Sequence, residues 1–375
     1  MEKTYNYMRV YNDLKGKILS GGYAVGERLP TEGQLQDTFG VSRITVKKAM
    51  EMLAEEGLVE RYPGKGTFVL KHSGTVAPMQ KKAAASRIHN AIGVVMNGFG
   101  SSFGLEFLQG VAEEANRHGL TLLSGLCYSS LEEEQLLIQR LIASGAQGIV
   151  IMPFHSENGI NAALVNAAMD GFPLVLTDRY LEGFPLPYVG TDHVEAAFHA
   201  TQYLLGLGHE NIGLISSAPT TTSIIDRESG YMKAYAMTKF RVHPEYLVPD
   251  IKSTMPGQDT PENFRADVER MKRYYRENPS VTALMCIDYP VMRICETAAR
   301  EAGIDIPSDL SLVCFDAPHD GFAEFEYTHL CQPEKEMGKT AVRMLLDVLH
   351  GDREPKRVNL PATLRIGMST DIPGG

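Results

Sequence analysis

Short apolar runs alternate with longer amphipathic stretches from residue 91 to the end of the chain. The runs have the length of single strands, and the stretches between them have the length of helices. The runs are AIGVVM, LTLLSGL, GIVIMP, PLVLTD, NIGLISS, YLVPDI, TALMCID and LSLVCFD. Apolar strands separated by helices are typical of buried parallel sheets. One break in the pattern, near residues 190–193, predicts an α/β region of two doubly wound, parallel-sheet lobes over residues 91–375.

Residues 1–70 follow a different, mainly helical pattern. The spacing of Tyr11, Leu14 and Ile18 predicts one face of a first helix. Thr31 is suited to cap a second helix and Gly40 to end it. After a third helix, the run LVERYPGKGTFVL alternates around a Pro-Gly turn and predicts a two-stranded wing. We therefore expect an α+β winged helix-turn-helix, followed by a linker over residues 71–90, where the apolar periodicity is lost.

The predicted third helix carries its cations away from its apolar stripe. The stripe consists of Val46, Ala49, Met50 and Leu53. Arg43 and Lys47 are four residues apart and share another face, with Thr45 and Lys48 beside them. Ser42 and the free N–H groups of the first turn can hold a phosphate. A solvated basic helix would explain either cation alone, but not the ordered occurrence of GERLPTE, VSRITV and PGKGTFV.

Composition and charge narrow the class of protein. The chain has 375 residues with 43% hydrophobic and 22% charged residues, which is globular composition. Residues 1–90 hold 14 Lys and Arg against 9 Asp and Glu, whereas residues 91–375 hold 22 against 37. A basic domain on an acidic body is typical of a nucleic-acid-binding domain joined to a sensor.

The sequence signals of membrane proteins, secreted proteins, metal sites and common enzyme classes are absent. No run of ~18 apolar residues and no secretory signal pattern is present, so we expect a cytoplasmic protein without membrane contact. The five cysteines include no C-x-x-C pair, and no G-x-S-x-G, H-E-x-x-H or P-loop pattern occurs. We expect no metal, no cofactor, no catalytic residues and no enzymatic activity.

The first 70 residues resemble the GntR-type winged helix-turn-helix over nearly their whole length. The resemblance implies a recognition helix that includes Ser42, Arg43, Thr45 and Lys47, with Lys48 beside them. It also implies that Arg28, Thr31 and Glu32 lie near the DNA backbone, and that Gly64, Lys65 and Gly66 enter the minor groove. Lys47 replaces the arginine of the usual pattern and loses its bidentate fork, so the base preference at Lys47 stays open.

Polar side chains directly follow several of the predicted strands. Asp178 and Arg179 follow the PLVLTD strand, Asp288 ends the TALMCID run, and Asp316 ends the LSLVCFD run. Because ligands of doubly wound sheets bind at the carboxyl ends of the strands, these groups are expected to line a cleft. Carboxylates, amides and guanidinium groups match the hydroxyls of a sugar, which both donate and accept.

Further candidates lie between the runs. Arg227 begins the helix after the Thr-rich loop 220–223, and Gln332 lies in a short crossover segment. Phe99 and His155 follow the first and third strands of the α/β region and are candidate sugar contacts, although core packing is an equal alternative. Asp288 has an alternative role as a helix cap, because Tyr289-Pro290 follows it.

The region from about residue 92 to residue 370 resembles the LacI-type, periplasmic-binding-protein-like sensor domain. The resemblance rests on stretches such as ATQYLLGLGHENIGLIS, AGIDIPSDLSLVCFDAP and LPATLRIGMST, in matching order. A GntR-type head on this body resembles the arabinose-responsive repressors of Bacillus-type bacteria. The resemblance implies a homodimeric repressor of a carbohydrate-utilisation operon that binds a palindromic double-stranded DNA operator.

The effector of such a regulator is a small molecule in the cleft between the lobes. A sugar such as L-arabinose is the first expectation, and a nucleoside, a purine or a sugar phosphate are alternatives. A sugar-modifying enzyme is a further alternative, since Asp178 and Asp316 could imitate an acid/base pair.

Overall fold

The computed structural model describes most of the chain, in two compact units of residues 1–86 and 87–375. The described residues are 6–19, 22–55, 58–62, 66–70, 90–98, 103–128, 130–154, 161–218, 221–318, 325–352 and 354–374. Most of the expected linker, residues 71–89, lies outside them. The boundaries at residues 70 and 90 therefore stay predictions.

The first unit is a winged helix-turn-helix, as predicted. Its described elements are α1 (Asn6–Leu19), α2 (Glu32–Phe39), α3 (Arg43–Glu55), β1 (Val59–Tyr62) and β2 (Gly66–Val69). Thr31 caps α2 in a capping box with Gln34, and Gly40 ends the helix in the left-handed conformation. Ser42 precedes α3, and its hydroxyl accepts a hydrogen bond from the backbone N–H of Thr45 at 3.3 Å. The two strands pair in antiparallel register.

One apolar core fixes the orientation of α3. Its buried members from the helices are Val10, Tyr11, Leu14, Ile18, Leu35, Val46, Ala49 and Leu53, joined by Leu58, Val59 and Val69 of the hairpin segment. Met50, predicted for the same stripe, is partly buried against this core. Because the stripe faces inward, the opposite face of α3 is left to solvent.

The second unit contains two lobes, each with a six-stranded sheet. The chain-order elements of the first lobe are β3 (Ala91–Met96), α4 (Leu105–Arg117), β4 (Thr121–Leu126), α5 (Leu131–Ala143), β5 (Ala146–Ile151), α6 (Ala162–Met169), β6 (Leu174–Thr177) and β7 (Tyr188–Thr191). The second lobe then has α7 (His193–Leu207), β8 (Ile212–Ser217), α8 (Thr222–Ala236), β9 (Leu247–Ile251), α9 (Pro261–Glu277), β10 (Ala283–Cys286), α10 (Tyr289–Ala302), β11 (Ser311–Phe315) and β12 (Thr328–Cys331).

The last elements are divided between the two lobes. They are α11 (Glu334–Leu349), β13 (Arg357–Leu360) and β14 (Thr363–Arg365). The first sheet has the order β13-β7-β6-β5-β3-β4 and the second has the order β14-β12-β11-β10-β8-β9. The first sheet is parallel throughout, and β14 is the one antiparallel addition to the second among the described strands. Apart from the direction of this edge strand, the two sheets therefore repeat one topology.

The sequence predicted one break between the lobes, but the chain crosses between them three times. The chain crosses between the sheets at residues 191–193, as predicted, but also at 331–334 and at 360–363. All eight apolar runs are strands, whereas β7, β12, β13 and β14 were not among them. These four strands lie next to the crossings and have three or four residues each. Some positions of β13 and β14 are also partly exposed. A short strand with little apolar content gives a weak sequence signal.

Candidate functional site

A cavity of about 300 Å³ opens at the carboxyl ends of the strands of both lobes. Six predicted ligand-binding residues line it, namely Asp178, Arg179, Arg227, Asp288, Asp316 and Gln332. The other two, Phe99 and His155, lie outside the described residues. The structure thus brings together every predicted cleft residue that it describes.

Asp178 and Asp316 occupy equivalent positions in the two lobes. Asp178 follows β6 and Asp316 follows β11, and each of these strands is third in its sheet. Both residues have left-handed backbone conformations, with φ of 59° and 62°. Among non-glycine residues, aspartate is one of the few that adopts this region readily. The local backbone therefore turns sharply at the end of each strand, where the two carboxyl groups line the cavity.

Arg227, on the second turn of α8, is fixed by four groups. Its Nε donates to Nδ1 of His193 at 3.2 Å, and one terminal nitrogen donates to the carbonyl oxygen of Ile287 at 2.9 Å. The guanidinium carbon lies 3.9 Å from the centre of the Phe315 ring. The other terminal nitrogen lies 3.8 Å from Oδ2 of Asp316. Stacking and hydrogen bonding together hold this buried cation in one orientation.

His193 links Arg227 to the carboxylate of the other lobe. Because an arginine cannot act as an acceptor, Nδ1 of His193 must be unprotonated and Nε2 must carry the proton. That Nε2 lies 3.5 Å from Oδ1 of Asp178. Burial and the neighbouring Arg227 lower the pKa of His193 to about 4, so the imidazole is neutral at pH 7. Burial raises the pKa of Asp178, but His193, Arg179 and Arg227 outweigh it and bring that pKa to about 2.

Asp316 has the opposite electrostatic balance. Burial raises its pKa to about 7, against the lowering effects of Arg227 and of the Gln332 amide. The Gln332 amide nitrogen donates to Oδ2 of Asp316 at 2.7 Å, and its oxygen accepts from the Thr191 hydroxyl at 2.6 Å. Thr191 and Gln332 lie at two of the crossings between the lobes. The amide therefore connects one cleft carboxyl group to the crossing segments.

Asp288 has the helix-cap role that the sequence offered as an alternative, and it also faces the cavity. Its Oδ1 accepts a hydrogen bond from the backbone N–H of Val291 at 2.9 Å, so it is the N-cap of α10. The same residue lines the cavity. Burial raises the pKa of Asp288, while the Val291 hydrogen bond and Arg227 lower it.

More than half of the residues that line the cavity were not among the predicted ligand contacts. The additional lining residues are Asn97, Phe103, Phe154, Ser217, Thr221, Ser223, Ile224, Thr254, Met255, Pro256 and Pro290. Three of them had a usable signal, because Asn97, Phe154 and Ser217 lie at or just after the ends of predicted strands. Thr254 to Pro256 come from a loop after β9 that no sequence pattern directs to the cleft.

Several polar atoms of the cavity wall make no hydrogen bond with any residue that the structure describes. They are Nδ2 of Asn97, Nε of Arg179 and Oγ1 of Thr254. Buried polar groups are costly unless they are paired. The Asn97 and Thr254 atoms are available to the hydroxyls of a bound ligand or to water, whereas Nε of Arg179 lies 3.4 Å from Oδ2 of Asp178.

Four of the eleven predicted DNA contacts, Arg43, Thr45, Lys47 and Lys48, lie on α3. The Arg43 side chain is 77% exposed, and its Nε lies 3.3 Å from Oε2 of Glu32. Oε1 of Glu32 also lies 3.3 Å from a terminal nitrogen of Arg61, a wing residue that the sequence reasoning missed. Lys47 is exposed beside Glu51 at 3.7 Å. Glu32 thus sits between two arginines, where it can orient both.

The other predicted DNA contacts have different surroundings. The Lys48 ammonium lies over the ring of Tyr7 at 4.9 Å, on the α1 side of the helix. Gly66 begins β2 with φ of 119°, and a methyl group there would overlap the Arg28 guanidinium. Gly64 and Lys65, at the wing tip, lie outside the described residues.

Comparison with known proteins assigns a class to each unit. Residues 6–69 match the family model of bacterial regulatory proteins of the gntR family, and residues 201–370 match the periplasmic binding protein-like domain. The chain therefore joins a GntR-type DNA-binding domain to a periplasmic-binding-protein-like domain, and its class is that of DNA-binding transcription regulators.

Proteins named as transcription regulators are similar to this chain over most of its length. The chain is 24% identical over 95% of its length to the arabinose metabolism transcriptional repressor of Halalkalibacterium halodurans, covering 92% of that protein. It is 26% identical over 93% of its length to the repressor of the same name from Geobacillus stearothermophilus, again covering 92%. The solved structure of transcription regulator CcpA of Lactococcus lactis matches 75% of this chain and 99% of that one, with a TM-score of 0.64 and 19% identity.

No described helix is both long and apolar enough to cross a membrane. Nor do the described His, Cys, Asp and Glu residues form a group of three that could hold a metal ion.

Proposed function

We propose that this regulator represses a carbohydrate-utilisation operon and responds to a small sugar, such as L-arabinose, in the cleft. It binds a palindromic operator as a homodimer in the cytoplasm, with each α3 in a major groove. The observation that supports this most is the cleft itself. Charged and amide side chains from both lobes converge on about 300 Å³, on the same chain as a DNA-binding head.

The charges of the cleft favour a neutral polyhydroxyl ligand. The cleft is lined by three carboxyl groups, those of Asp178, Asp288 and Asp316, and by two arginines, Arg179 and Arg227. Arg227 already interacts with its protein partners. A phosphate would face three carboxyl groups, whereas sugar hydroxyls donate to carboxylates and accept from guanidinium and amide groups. Phe103 and Phe154 supply apolar surface for the faces of a sugar ring. We therefore rank a sugar above a sugar phosphate.

Calorimetry on the full chain tests the ligand. L-Arabinose, arabinose 5-phosphate and adenosine are titrated into the wild type, into Arg179→Met and into a control, Arg276→Met, whose arginine is exposed on α9. We expect wild type and control to bind the pentose, and the Arg179 variant to lose at least ten-fold in affinity, because a charged hydrogen bond is worth about 1.5–3 kcal/mol. Binding of the phosphate alone would contradict the proposed class, and turnover of bound sugar would contradict a pure regulator.

DNA selection tests the other half of the proposal. The full chain is used to select duplexes from a randomised library, and the affinity of Arg43→Ala for the selected duplex is measured at fixed salt. We expect a loss of about 1–3 kcal/mol, with pentose binding retained, because Arg43 lies on the face away from the core. A selected sequence with two-fold symmetry, bound by two chains, is the expected operator. Unchanged affinity of the variant would contradict the assignment of α3.

A further inference from the structure

A large aliphatic side chain occupies the middle of the proposed DNA-binding face. Ile44, in the first turn of α3, is 80% exposed. Val46, Ala49 and Leu53 of the same helix are fully buried. At about 100° per residue, Ile44 points about 180° away from the centre of that buried stripe. It is therefore the side chain that projects most directly outward from the start of the helix.

Cations surround Ile44 without covering it. Lys47 and Lys48 are three and four residues further on and share its side of the helix. The Lys48 ammonium is directed to the Tyr7 ring, and the Lys47 ammonium lies beside Glu51. Arg43, its neighbour in sequence, is directed to Glu32. An apolar side chain thus stands in the centre of a ring of groups suited to phosphates and base edges.

We propose that Ile44 is a specificity-determining residue that reads a thymine through its 5-methyl group. In the major groove, thymine is the only base that presents a methyl group, and apolar side chains recognise it by contact. The contact buries two apolar groups that are otherwise in water, and it needs no hydrogen bond. The inference rests on the proposed function, since it requires α3 to enter the major groove.

Removal of single methyl groups from the DNA tests this contact. The duplex selected by the full chain is resynthesised with deoxyuridine in place of each thymine in turn, which removes only the 5-methyl group. Affinities are measured by fluorescence anisotropy for the wild type, Ile44→Ala and the conservative Ile44→Val. Met169→Ala is the matched control, because Met169 is 81% exposed at the end of α6, in the other unit.

The expected result is a coupling between one side chain and one methyl group. For the wild type, replacement of one particular thymine in either half-site lowers the affinity about four-fold. This is the loss expected for one buried methyl group. Ile44→Ala binds the thymine duplex more weakly by a similar factor or more and no longer responds to that substitution, whereas Ile44→Val and Met169→Ala still respond.

Two outcomes would overturn the inference, and they are distinguishable from failure of the proposed function. Equal affinity of the wild type for every deoxyuridine duplex excludes a methyl contact. Equal sensitivity in Ile44→Ala shows that another residue makes the contact. If the full chain selects no duplex at all, the proposed DNA binding itself fails, and the inference fails with it.

Discussion

Asp178 and Asp316 end equivalent strands of the two lobes, but their surroundings shift their pKa values in opposite directions. Asp178 faces His193, Arg179 and Arg227, and its pKa falls to about 2. Asp316 is also near Arg227, but burial dominates there and raises its pKa to about 7. Equivalent positions in a repeated fold thus hold one permanent carboxylate and one group that titrates near neutrality.

The lowered pKa of Asp178 predicts a stabilising carboxylate. Between about pH 4 and pH 2, the unfolded chain binds more protons at this site than the folded chain, so the stabilisation is present above that window and is lost as the pH falls through it. Asp178→Asn should lower the free energy of unfolding by about 2 kcal/mol at pH 7. Urea unfolding followed by circular dichroism measures this, and an unchanged midpoint would contradict the assignment.

The raised pKa of Asp316 predicts the opposite pH dependence. The folded protein binds more protons than the unfolded chain between about pH 4 and pH 7, so stability falls as the pH rises through this window. An asparagine there can still accept the hydrogen bond from Gln332. The stability of Asp316→Asn relative to the wild type should therefore increase by about 3 kcal/mol from pH 5 to pH 8. A pH-independent difference would show that Asp316 stays ionised when folded.

At the residue scale, the sequence predicted polar groups at strand ends but not their partners. Asp178, Arg179, Asp288 and Asp316 could be found because parallel strands present their carboxyl ends at one edge. The roles of His193 and Thr191 could not, since His193 contacts Asp178 of the other lobe and Thr191 contacts Gln332 at another crossing. Such a contact depends on how the two sheets are placed, which no local pattern encodes.

Two helices of the first lobe, α4 and α11, pack closely against each other. Helices α4 and α11 cross where Gly110 and Gly338 are both buried. A methyl group on Gly110 would overlap the carbonyl oxygen of Lys335, and one on Gly338 would overlap that of Phe107. The two backbones are therefore in direct contact. The sequence predicted helices that cover the sheet but gave no reason to pair these two, which lie more than 200 residues apart.

This close contact predicts opposite effects for two alanine substitutions. Gly338→Ala should lower the free energy of unfolding by at least about 2 kcal/mol, because a backbone must move to admit the methyl group. Gly206→Ala is the matched control, since no atom lies within 4 Å of the position that its methyl group would take on α7. That change should raise stability by about 0.5–1 kcal/mol, the usual preference for alanine within a helix. Urea unfolding distinguishes the two variants, and equal effects would contradict the direct backbone contact between α4 and α11.

In the whole second unit, the chain crosses between the lobes three times, and the cleft lies where the carboxyl ends of the two sheets meet. Tyr180 bridges the lobes near the cleft, because its N–H donates to the Thr222 hydroxyl and its hydroxyl donates to Asp226, both at 3.1 Å. A ligand that contacts Asp178 on one lobe and Arg227 on the other stabilises one lobe arrangement over another. Such preferential binding is what allows a ligand to shift an equilibrium.

The most direct test of ligand-controlled DNA binding is the affinity of the full chain for its selected duplex, with and without the pentose that calorimetry identifies. We predict that saturating pentose weakens the affinity at least five-fold, within the usual range of coupling between sites. Arg179→Met should bind the duplex normally but lose the response at the same pentose concentration. An unchanged or tighter affinity of the wild type, with pentose shown to be bound, would contradict the account.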